Sequence, residues 1–425
     1  MMKPKKIINP KNMYTYHIKD MTFVSSFKKN LLKFCLYMAL FLFAILISLL
    51  PFIISRRTQV LKHVRYATDL KYILFWYKPK YKKLFNKDYG FELGSGQKLF
   101  IDQKCPHMNC YITYNKTLLN NQNNFDAVVF DVHDISRLKF TDYNATRPSY
   151  QHYIFWAHES AEKQPVCNPM FDNFFTWTWT YRLDSDVPHP FISIYDVNKQ
   201  LIGPNYTMDW IQTMNYSEAT RYKVINKSKA VAWIVSKCKS KNKHQDFIKE
   251  LRNELKGYNY TLDVYGPCGD KRCPGGVLSK CYKMVEKKYF FQLVLEDTFA
   301  EDYVSEKLVK ALSYFTVPIV YGGANYSRFL PPGAYINVQA FDMKKLGALV
   351  DYLIKNLVMY EYFFDWKNHY FYTVNHRSNV CTLCEKLNTN KEIPKIYSNF
   401  RQWWNPEYAD VCARMDLLDL FNSEQ

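Results

Sequence analysis

One segment of the chain gathers acidic and basic side chains at the start of a predicted helix. The loop 296–302 carries four acids, and the helical pattern Ser305–Tyr314 begins three residues later. Glu306 and Lys307 lie in its first turn. There a lysine can neutralise a diphosphate, and a glutamate can accept hydrogen bonds from sugar hydroxyls. Alternatively, Ser305 caps the helix and Glu306 only favours its first turn, and the local pattern supports both interpretations equally.

A second candidate for chemistry is Glu159, which follows the apolar run Tyr153–Ala157. If that run is a parallel strand, its C-terminal end lies on the ligand-binding side of the sheet. A carboxylate there can take a proton from an acceptor hydroxyl. The alternative is a solvated loop acid with no chemical role.

The elements that must position these side chains form two series of short apolar runs. The first series is Tyr72–Tyr77, Phe125–Phe130 and Tyr153–Ala157, and the second is Ala230–Ser236, Thr261–Tyr265, Phe290–Leu295, Val317–Tyr321 and Tyr335–Val338. Gln245–Leu255 and Ser305–Tyr314 are the clearest helices between them. Such alternation is typical of α/β domains with parallel sheets. We therefore predict two Rossmann-like domains that face each other across a cleft.

The N-terminal part contains a predicted membrane anchor. Residues 34–54 carry no charge over 21 positions, about the length a helix needs to cross a bilayer. A cleaved signal peptide or a buried core helix are the alternatives, but signal sequences are usually shorter and lie nearer the N-terminus. Flanking charges do not decide the orientation. All N-x-S/T sequons follow the run, which favours a lumenal C-terminal part, a cytosolic tail at 1–33 and a stem at 55–69.

Sequons and cysteines after the anchor indicate an oxidising lumen. The predicted glycosylation sites are Asn115, Asn144, Asn205, Asn215, Asn226 and Asn259. Ten of the 11 cysteines follow the anchor, an even number that permits full pairing, although their connectivity is not predicted. We interpret Cys381-Thr-Leu-Cys384 as a structural disulfide rather than half of a zinc site, because no second pair at zinc spacing is evident. The disulfide candidates are Cys105, Cys110, Cys268, Cys273, Cys381 and Cys384.

The net charge of +18 does not indicate a nucleic-acid partner. The basic residues are scattered, and no nucleic-acid motif or phosphate-binding glycine loop is present. A basic lumenal part fits better with an anionic small substrate such as a nucleoside diphosphate.

Several segments together resemble the α-1,3-fucosyltransferase family, in particular its invertebrate members. They are LEDT (295–298), DYVSEK (302–307), VYGGANYSRF (320–329), AWIVSKC (232–238), DVYGPCG (263–269) and FTWTWTYRLDSDV (175–187). The resemblance covers about residues 71–412. Asn325 is a further sequon, but it lies inside this motif, so we expect it to be unglycosylated.

The resemblance implies a GT-B-type fold and a Golgi type II membrane enzyme. It implies inverting α-1,3 transfer of fucose from GDP-fucose to N-acetylglucosamine of a glycan on a glycoprotein or glycolipid. No cofactor or metal is required, and a divalent metal such as Mn²⁺ is at most stimulatory. The D-x-D sequence 184–186 is accordingly interpreted as structural, with its carboxylates holding Arg182 and nearby backbone. A homo-oligomer is compatible with this assignment.

By the same resemblance, 70–220 is the acceptor-binding domain and 221–372 the donor-binding domain. Residues 373–425 form a disulfide-containing segment that packs back on them. Glu159 is the implied base. The implied donor-binding residues are His244, Glu296, Asp297, Tyr303, Glu306, Lys307, Tyr321, Gly322 and Gly323, with the glycines letting the backbone pass close to the ligand.

Two departures from the family pattern affect the implied donor site. His244 stands where the family usually has arginine, and Asp297 replaces an asparagine. Histidine is only partly charged near neutral pH, and a carboxylate near an anionic donor is repulsive, so both changes weaken donor binding. They support an alternative function, that of a catalytically weakened glycan-binding or scaffolding protein of the same fold.

Overall fold

The computed structural model describes residues 33–34, 36–45, 47–48, 69–78, 94–138, 147–216, 218–235, 244–267, 269–375, 379–389 and 395–414. They fall into two compact units, one up to Asp69 and one from Leu70 onward. In the first unit, the described residues between 33 and 48 are helical and exposed. Among described residues, no helix is both long enough and apolar enough to cross a membrane. The rest of the predicted anchor at 34–54, residues 1–32 and nearly all of the predicted stem lie outside the described residues.

Six parallel strands form the first sheet. They are β1 (Lys71–Phe75), β2 (Cys110–Thr113), β3 (Ala127–Asp131), β4 (His152–Ala157), β5 (Trp177–Thr180) and β6 (Val187–Pro188), in the order β2-β1-β3-β4-β5-β6. Residues of β3, β4 and β5 are buried throughout because both faces of the sheet are covered. The strands predicted at 72–77, 125–130 and 153–157 are confirmed with ends that differ by at most two residues. The sequence analysis did not predict β2, β5 and β6.

Five parallel strands form the second sheet, after the hairpin strands β7 (Ile192–Asp196) and β8 (Leu201–Gly203). They are β9 (Lys229–Ile234), β10 (Leu262–Tyr265), β11 (Tyr289–Leu295), β12 (Val317–Tyr321) and β13 (Ile336–Asn337), in the order β10-β9-β11-β12-β13. All five were predicted as strands. The predicted α/β architecture with two parallel sheets is thus confirmed.

Helices cover the two sheets. They are α1 (Lys98–Asp102), α2 (Glu218–Val224), α3 (His244–Gly257), α4 (Leu278–Lys288), α5 (Glu306–Leu312), α6 (Met343–Lys355), α7 (Leu357–Glu361), α8 (Val380–Thr389) and α9 (Phe400–Trp404). In α3, Phe247, Leu251 and Leu255 recur at helical spacing and pack with α6 on the second sheet. Helix α5 is shorter than the predicted Ser305–Tyr314.

A small antiparallel sheet joins distant parts of the chain. Strand β14 (Tyr370–Val374) pairs with β7, and β7 pairs with β8. Ile192, Ile194 and Trp210 pack in one core with Leu308 of α5 and residues near β12. Residues 192–210 therefore pack against the second sheet, although the sequence analysis placed them in the 70–220 domain. Apolar contacts with α5, which are remote in sequence, decide this placement.

Disulfide bonds attach the C-terminal segment to the first half. They are Cys105–Cys381, Cys110–Cys384 and Cys167–Cys412, and a fourth bond, Cys273–Cys281, is local. The interpretation of Cys381-Thr-Leu-Cys384 as one disulfide is wrong, because one turn of α8 presents the two sulfurs to separate cysteines beside β2. Cys268 lies outside the described residues. Helix α8 packs against β1 and β2, and Phe400 and Trp404 of α9 pack on Phe155.

Candidate active site

Two loops from different sheets meet at the carboxyl ends of β4 and β11. The Phe299 N–H donates a hydrogen bond of 3.1 Å to Glu162 Oε2. Lys163 Nζ lies 5.5 Å from the centre of the Tyr303 ring and 3.5 Å from Glu159 Oε2. The structure therefore brings Glu159, predicted from the first half, next to the acidic loop predicted from the second.

Glu159 and Tyr303 both lie at this junction and differ in exposure. The Glu159 side chain is 26% exposed, so it is accessible from solvent. Tyr303 is buried, and burial raises the pKa of its hydroxyl well above the ordinary value. The nearby charges of Glu296, Glu159 and Asp297 act in the same direction. The tyrosine therefore stays neutral, so its hydroxyl remains a hydrogen-bond donor in the neighbourhood of three carboxyl groups.

Lys307 is paired with Asp297 at the start of α5. Its Nζ donates to Asp297 Oδ1 at 2.7 Å and to the Leu295 carbonyl at 3.0 Å. Burial works to raise the pKa of Asp297, but the charge and hydrogen bond of Lys307 outweigh it and hold that pKa below its ordinary value. Asp297 is therefore a carboxylate at neutral pH. It partly neutralises the cation that the sequence analysis assigned to a diphosphate.

Glu296 lies wholly inside the protein with 0% exposure, and its predicted contact with a donor stays a prediction. Its Oε1 accepts a 2.9 Å hydrogen bond from the Ser305 N–H, and burial raises its pKa. The Ser305 side chain makes no capping hydrogen bond to α5, contrary to the capping interpretation. Glu296 thus fixes the start of the helix that carries Lys307.

The two glycines after β12 are required by close packing within the protein. A Cβ on Gly323 would lie 1.7 Å from the Phe299 carbonyl oxygen, and one on Gly322 would lie 2.7 Å from the Tyr326 hydroxyl. The absence of a Cβ lets the turn pack against the loop 296–302. The predicted close approach of this backbone to a ligand stays a prediction. Tyr321 packs against Phe247, with ring centres 4.9 Å apart.

His244 and Glu306 differ in how they relate to this cluster. His244 is buried as the first residue of α3, and burial lowers its pKa, with the Lys307 charge adding to the effect. It is therefore a neutral imidazole where the family pattern has a permanent cation. Glu306 instead lies 3.7 Å from Lys310 along the surface of α5. Burial, with Glu306 adding to it, raises the pKa of Tyr282 on α4 to about 12.

Three histidines follow the carboxyl ends of strands in the first sheet, and they were not selected from the sequence. The rings of His158 and His189 lie 4.4 Å apart, and His133 Nδ1 lies 2.8 Å from Asp131 Oδ1. Burial lowers the pKa of His158 well below its ordinary value, and the other two imidazoles contribute. His158 directly follows β4, and His133 lies two residues after the end of β3. That position is the sequence signal that could have identified them.

The carboxylates of the D-x-D sequence hold Arg182 and nearby backbone, as predicted. Arg182 makes a bidentate pair with Asp184 at 2.9 and 2.8 Å, and Asp186 Oδ2 accepts from the Thr178 N–H. Among the described residues, no group of three His, Cys, Asp or Glu side chains is arranged to hold a metal ion.

A charged network that the sequence analysis missed fixes the loop 296–302 to the first half. Asp302 Oδ2 accepts from the Leu183 N–H at 3.1 Å, and its Oδ1 accepts from Arg328 at 2.7 Å. Arg328 also donates to Glu301 at 3.2 Å, and Glu301 lies 3.5 Å from Arg182. Asp302 and Arg328 both lie within the recognised motifs, which is the signal that could have identified them.

Two parallel sheets, with ionisable side chains from both meeting at their strand ends, define an α/β protein with a site between its halves. Residues 68–192 match the family described as "Fucosyltransferase, N-terminal", and residues 224–403 match "Glycosyltransferase family 10 (fucosyltransferase) C-term". Together these matches cover most of the chain. The chain belongs to glycosyltransferase family 10 and is a fucosyltransferase.

Relatives from invertebrates agree with this assignment. Alpha-(1,3)-fucosyltransferase C of Drosophila melanogaster is 28% identical over 353 residues, which are 81% of this chain and 80% of the relative. Glycoprotein 3-alpha-L-fucosyltransferase A of the same organism is 27% identical over 73% of this chain and 57% of its own length. A crystal structure of an alpha1,3-fucosyltransferase with GDP-fucose covers 76% of this chain and 92% of its own, with 15% identity and a TM-score of 0.43.

Proposed function

We propose that this chain transfers fucose from GDP-fucose to N-acetylglucosamine of a glycoprotein or glycolipid glycan, in α-1,3 linkage and with inversion. The two sheets would form the two halves of a GT-B-type cleft, with the acceptor on the first-sheet side and the donor on the second. The observation that carries the proposal is the meeting of the Glu159 loop with the loop that precedes Lys307, at the carboxyl ends of β4 and β11.

The proposed reaction is a single displacement. The acceptor hydroxyl oxygen attacks the anomeric carbon of fucose while Glu159 takes the hydroxyl proton, and the bond to GDP breaks with its electron pair leaving on the diphosphate. Lys307 lies where it can neutralise that charge. Glu159 then loses its proton to solvent. Attack from the face opposite to GDP accounts for inversion.

The test is GDP-fucose turnover by the full-length chain, purified in detergent, on a panel of N-glycan and lactosamine acceptors. Glu159→Gln should lower kcat by at least about 100-fold, because a general base typically contributes 10²–10⁴-fold, while GDP still binds. Glu162→Gln is the matched control, since it lies on the same loop and its amide oxygen can still accept from Phe299. Full activity of Glu159→Gln would remove that residue from the mechanism, and no turnover on any acceptor would overturn the enzyme function.

A second candidate function is that of a catalytically weakened glycan-binding protein. The Lys307–Asp297 pair and the neutral His244 favour it, because both reduce the positive charge available to a diphosphate. Failure to bind GDP, together with retained glycan binding, would select this function.

We also propose a Golgi membrane location with the described part from Leu70 onward in the lumen. The apolar, uncharged run 34–54 and the sequons that follow it support this topology. Protease protection of the C-terminal part in sealed Golgi vesicles would test it, since digestion without detergent would contradict a lumenal orientation.

A further inference from the structure

An apolar surface lies on helices α2 and α7, away from the strand ends that form the candidate active site. Tyr222 is 82% exposed, Val358 60%, Tyr362 54% and Ile225 50%. The two helices lie side by side, and Tyr216, just before α2, donates a hydrogen bond to Glu361 of α7 at 3.1 Å. Large contiguous apolar surfaces on folded proteins usually have an occupant. We call this surface the α2–α7 patch.

The patch continues into a cavity at the amino ends of the second-sheet strands. The cavity has a volume of about 270 Å³. Its lining is mixed, with apolar side chains and polar ones in similar measure: Ile225, Ala230, Tyr260, Phe290, Ile354 and Leu357, and Lys227, Ser228 and Lys229. Phe290 lies near the amino end of β11, whereas Lys307 and Tyr303 follow its carboxyl end. The cavity therefore does not belong to the proposed transfer site.

Three predicted glycosylation sites border this surface. Asn226 lies between Ile225 and Lys227, which both line the cavity, and Asn259 directly precedes Tyr260. Asn215 precedes Tyr216, whose hydroxyl bonds α7. All three asparagines are exposed. The two other exposed candidates, Asn115 and Asn205, follow β2 and β8, and Asn144 lies outside the described residues.

We propose that N-linked glycans on Asn215, Asn226 and Asn259 cover the α2–α7 patch and its cavity. This inference rests on the lumenal orientation proposed above. The innermost N-acetylglucosamine has an apolar C–H face and an N-acetyl methyl group that can pack on exposed tyrosine and aliphatic side chains. Its hydroxyl groups and the outer sugars remain in water. Three bulky, hydrated chains at the border also prevent a second protein from docking there.

The modification itself is a group transfer from a lipid-linked oligosaccharide diphosphate. The side-chain amide nitrogen of asparagine bonds to the anomeric carbon of the oligosaccharide, and the bond to the lipid diphosphate breaks. The amide loses one proton, and the lipid diphosphate leaves with the bonding electron pair.

The experiment combines glycopeptide mass spectrometry with hydroxyl-radical footprinting. The full-length chain is made in a eukaryotic secretory host and purified in detergent. Asn215, Asn226 and Asn259 should be occupied. Labelling of Tyr222 and Tyr362 should rise at least about threefold in Asn215→Gln/Asn226→Gln/Asn259→Gln, relative to the unaltered chain, because solvent reaches side chains that a bulky surface glycan had covered.

The control is Asn205→Gln, which should leave labelling of the α2–α7 patch unchanged. If the triple variant does not accumulate, enzymatic removal of glycans from the purified unaltered chain gives the same comparison. GDP-fucose turnover of each sample reports the proposed function separately, and we expect it to be unchanged in the glycan variants.

Three results would overturn the proposal. Occupied Asn115 and Asn205 with unoccupied Asn226 and Asn259 would reject the glycan cover while leaving the lumenal orientation intact. Occupied sites with unchanged labelling would show that the glycans lie elsewhere. Protection of the patch that persists without glycans and depends on protein concentration would identify a second copy of the chain as the occupant.

Discussion

The two halves of the proposed site are built in different ways. On the second-sheet side, β11, the acidic loop, α5, β12 and the glycine turn come from one continuous segment, 289–323. On the first-sheet side, the structure depends on segments 276 and 274 residues apart, joined by Cys105–Cys381 and Cys110–Cys384. Local sequence therefore specifies the second-sheet side, which is the proposed donor side. Covalent and packing contacts over long distances hold together the first-sheet side, which is the proposed acceptor side.

Removing both Cys105–Cys381 and Cys110–Cys384 should have the largest effect on the free energy of unfolding, because these bonds hold the first-sheet side together. Either Cys381→Ser or Cys384→Ser leaves the neighbouring bond to close the long loop, so each should cost only about 2 kcal/mol of unfolding free energy. The double variant keeps Cys167–Cys412 as its remaining long-range bond, so the loop widens without opening fully, and it should cost about 5 kcal/mol, more than the sum of the two single variants.

Denaturant unfolding of the full-length chain measures these differences. Loss of the local bond in Cys273→Ser/Cys281→Ser should cost about 2 kcal/mol and provides the control for a short loop. If the effects of removing Cys105–Cys381 and Cys110–Cys384 were additive, the inferred cooperative attachment would be contradicted.

The donor side should respond most strongly to loss of Lys307. Lys307→Met should lower kcat/KM for GDP-fucose by about 100-fold, because removing one group that stabilises the leaving group typically costs 10²–10³-fold. Lys310→Met, on the same helix but paired with Glu306 at the surface, should change activity little. Similar losses in both variants would mean that the helix as a whole, and not Lys307, is responsible.

His152, in the first half, should make the free energy of unfolding fall at low pH. His152 is buried and stacked on Trp177 at 3.5 Å, and burial, with Arg147 and Lys386 adding, lowers its pKa to about 4. The unfolded chain binds this proton at about pH 6.5, so the folded state loses stability as pH falls from about 6.5 to 4. Between pH 7 and pH 4.5 this loss should be about 2 kcal/mol.

Unfolding of His152→Gln at both pH values tests that assignment. The variant should lose about 2 kcal/mol less than the unaltered chain over this interval, whatever its stability at pH 7. Identical pH dependence of the two proteins would contradict it.

Asp297→Asn should produce the smallest change in activity, and it should strengthen donor binding where the other variants weaken the protein. Without the carboxylate, Lys307 is free to bind the diphosphate, so KM for GDP-fucose should fall about threefold, a modest gain because the pair is partly exposed. Asp270→Asn, which removes an exposed acid paired with Arg252, serves as the control. A higher KM in Asp297→Asn would show that Asp297 assists binding.

Much of the donor side could be predicted from the sequence. The strands β9 to β13 and helices α3 and α5 follow from apolar periodicity and lie within a few residues of their predicted bounds. Glu159 and the loop 296–302 were selected separately and do meet. The burial of Glu296 and the close packing at the two glycines could not be predicted, because both depend on which loop packs above them.

The first-sheet side was less predictable, because more of its structure depends on contacts between segments far apart in sequence. Residues 192–210 pair with β14 and pack on α5, and α8 binds beside β2 through two disulfides. No local pattern distinguishes these partners from others of equal hydrophobicity or from other cysteines. The histidines at the strand ends were visible in the sequence, but their proximity to each other was not.

The sequence by itself determined the parallel α/β class, most strands, the family and the continuous segment that forms the proposed donor side, because each depends on neighbours along the chain. Tertiary structure alone decided the cysteine partners, the burial of Glu296, the Lys307–Asp297 pair and the grouping of three sequons around one apolar surface. These features depend on contacts between residues far apart in sequence, and such contacts exist only once the two sheets have folded.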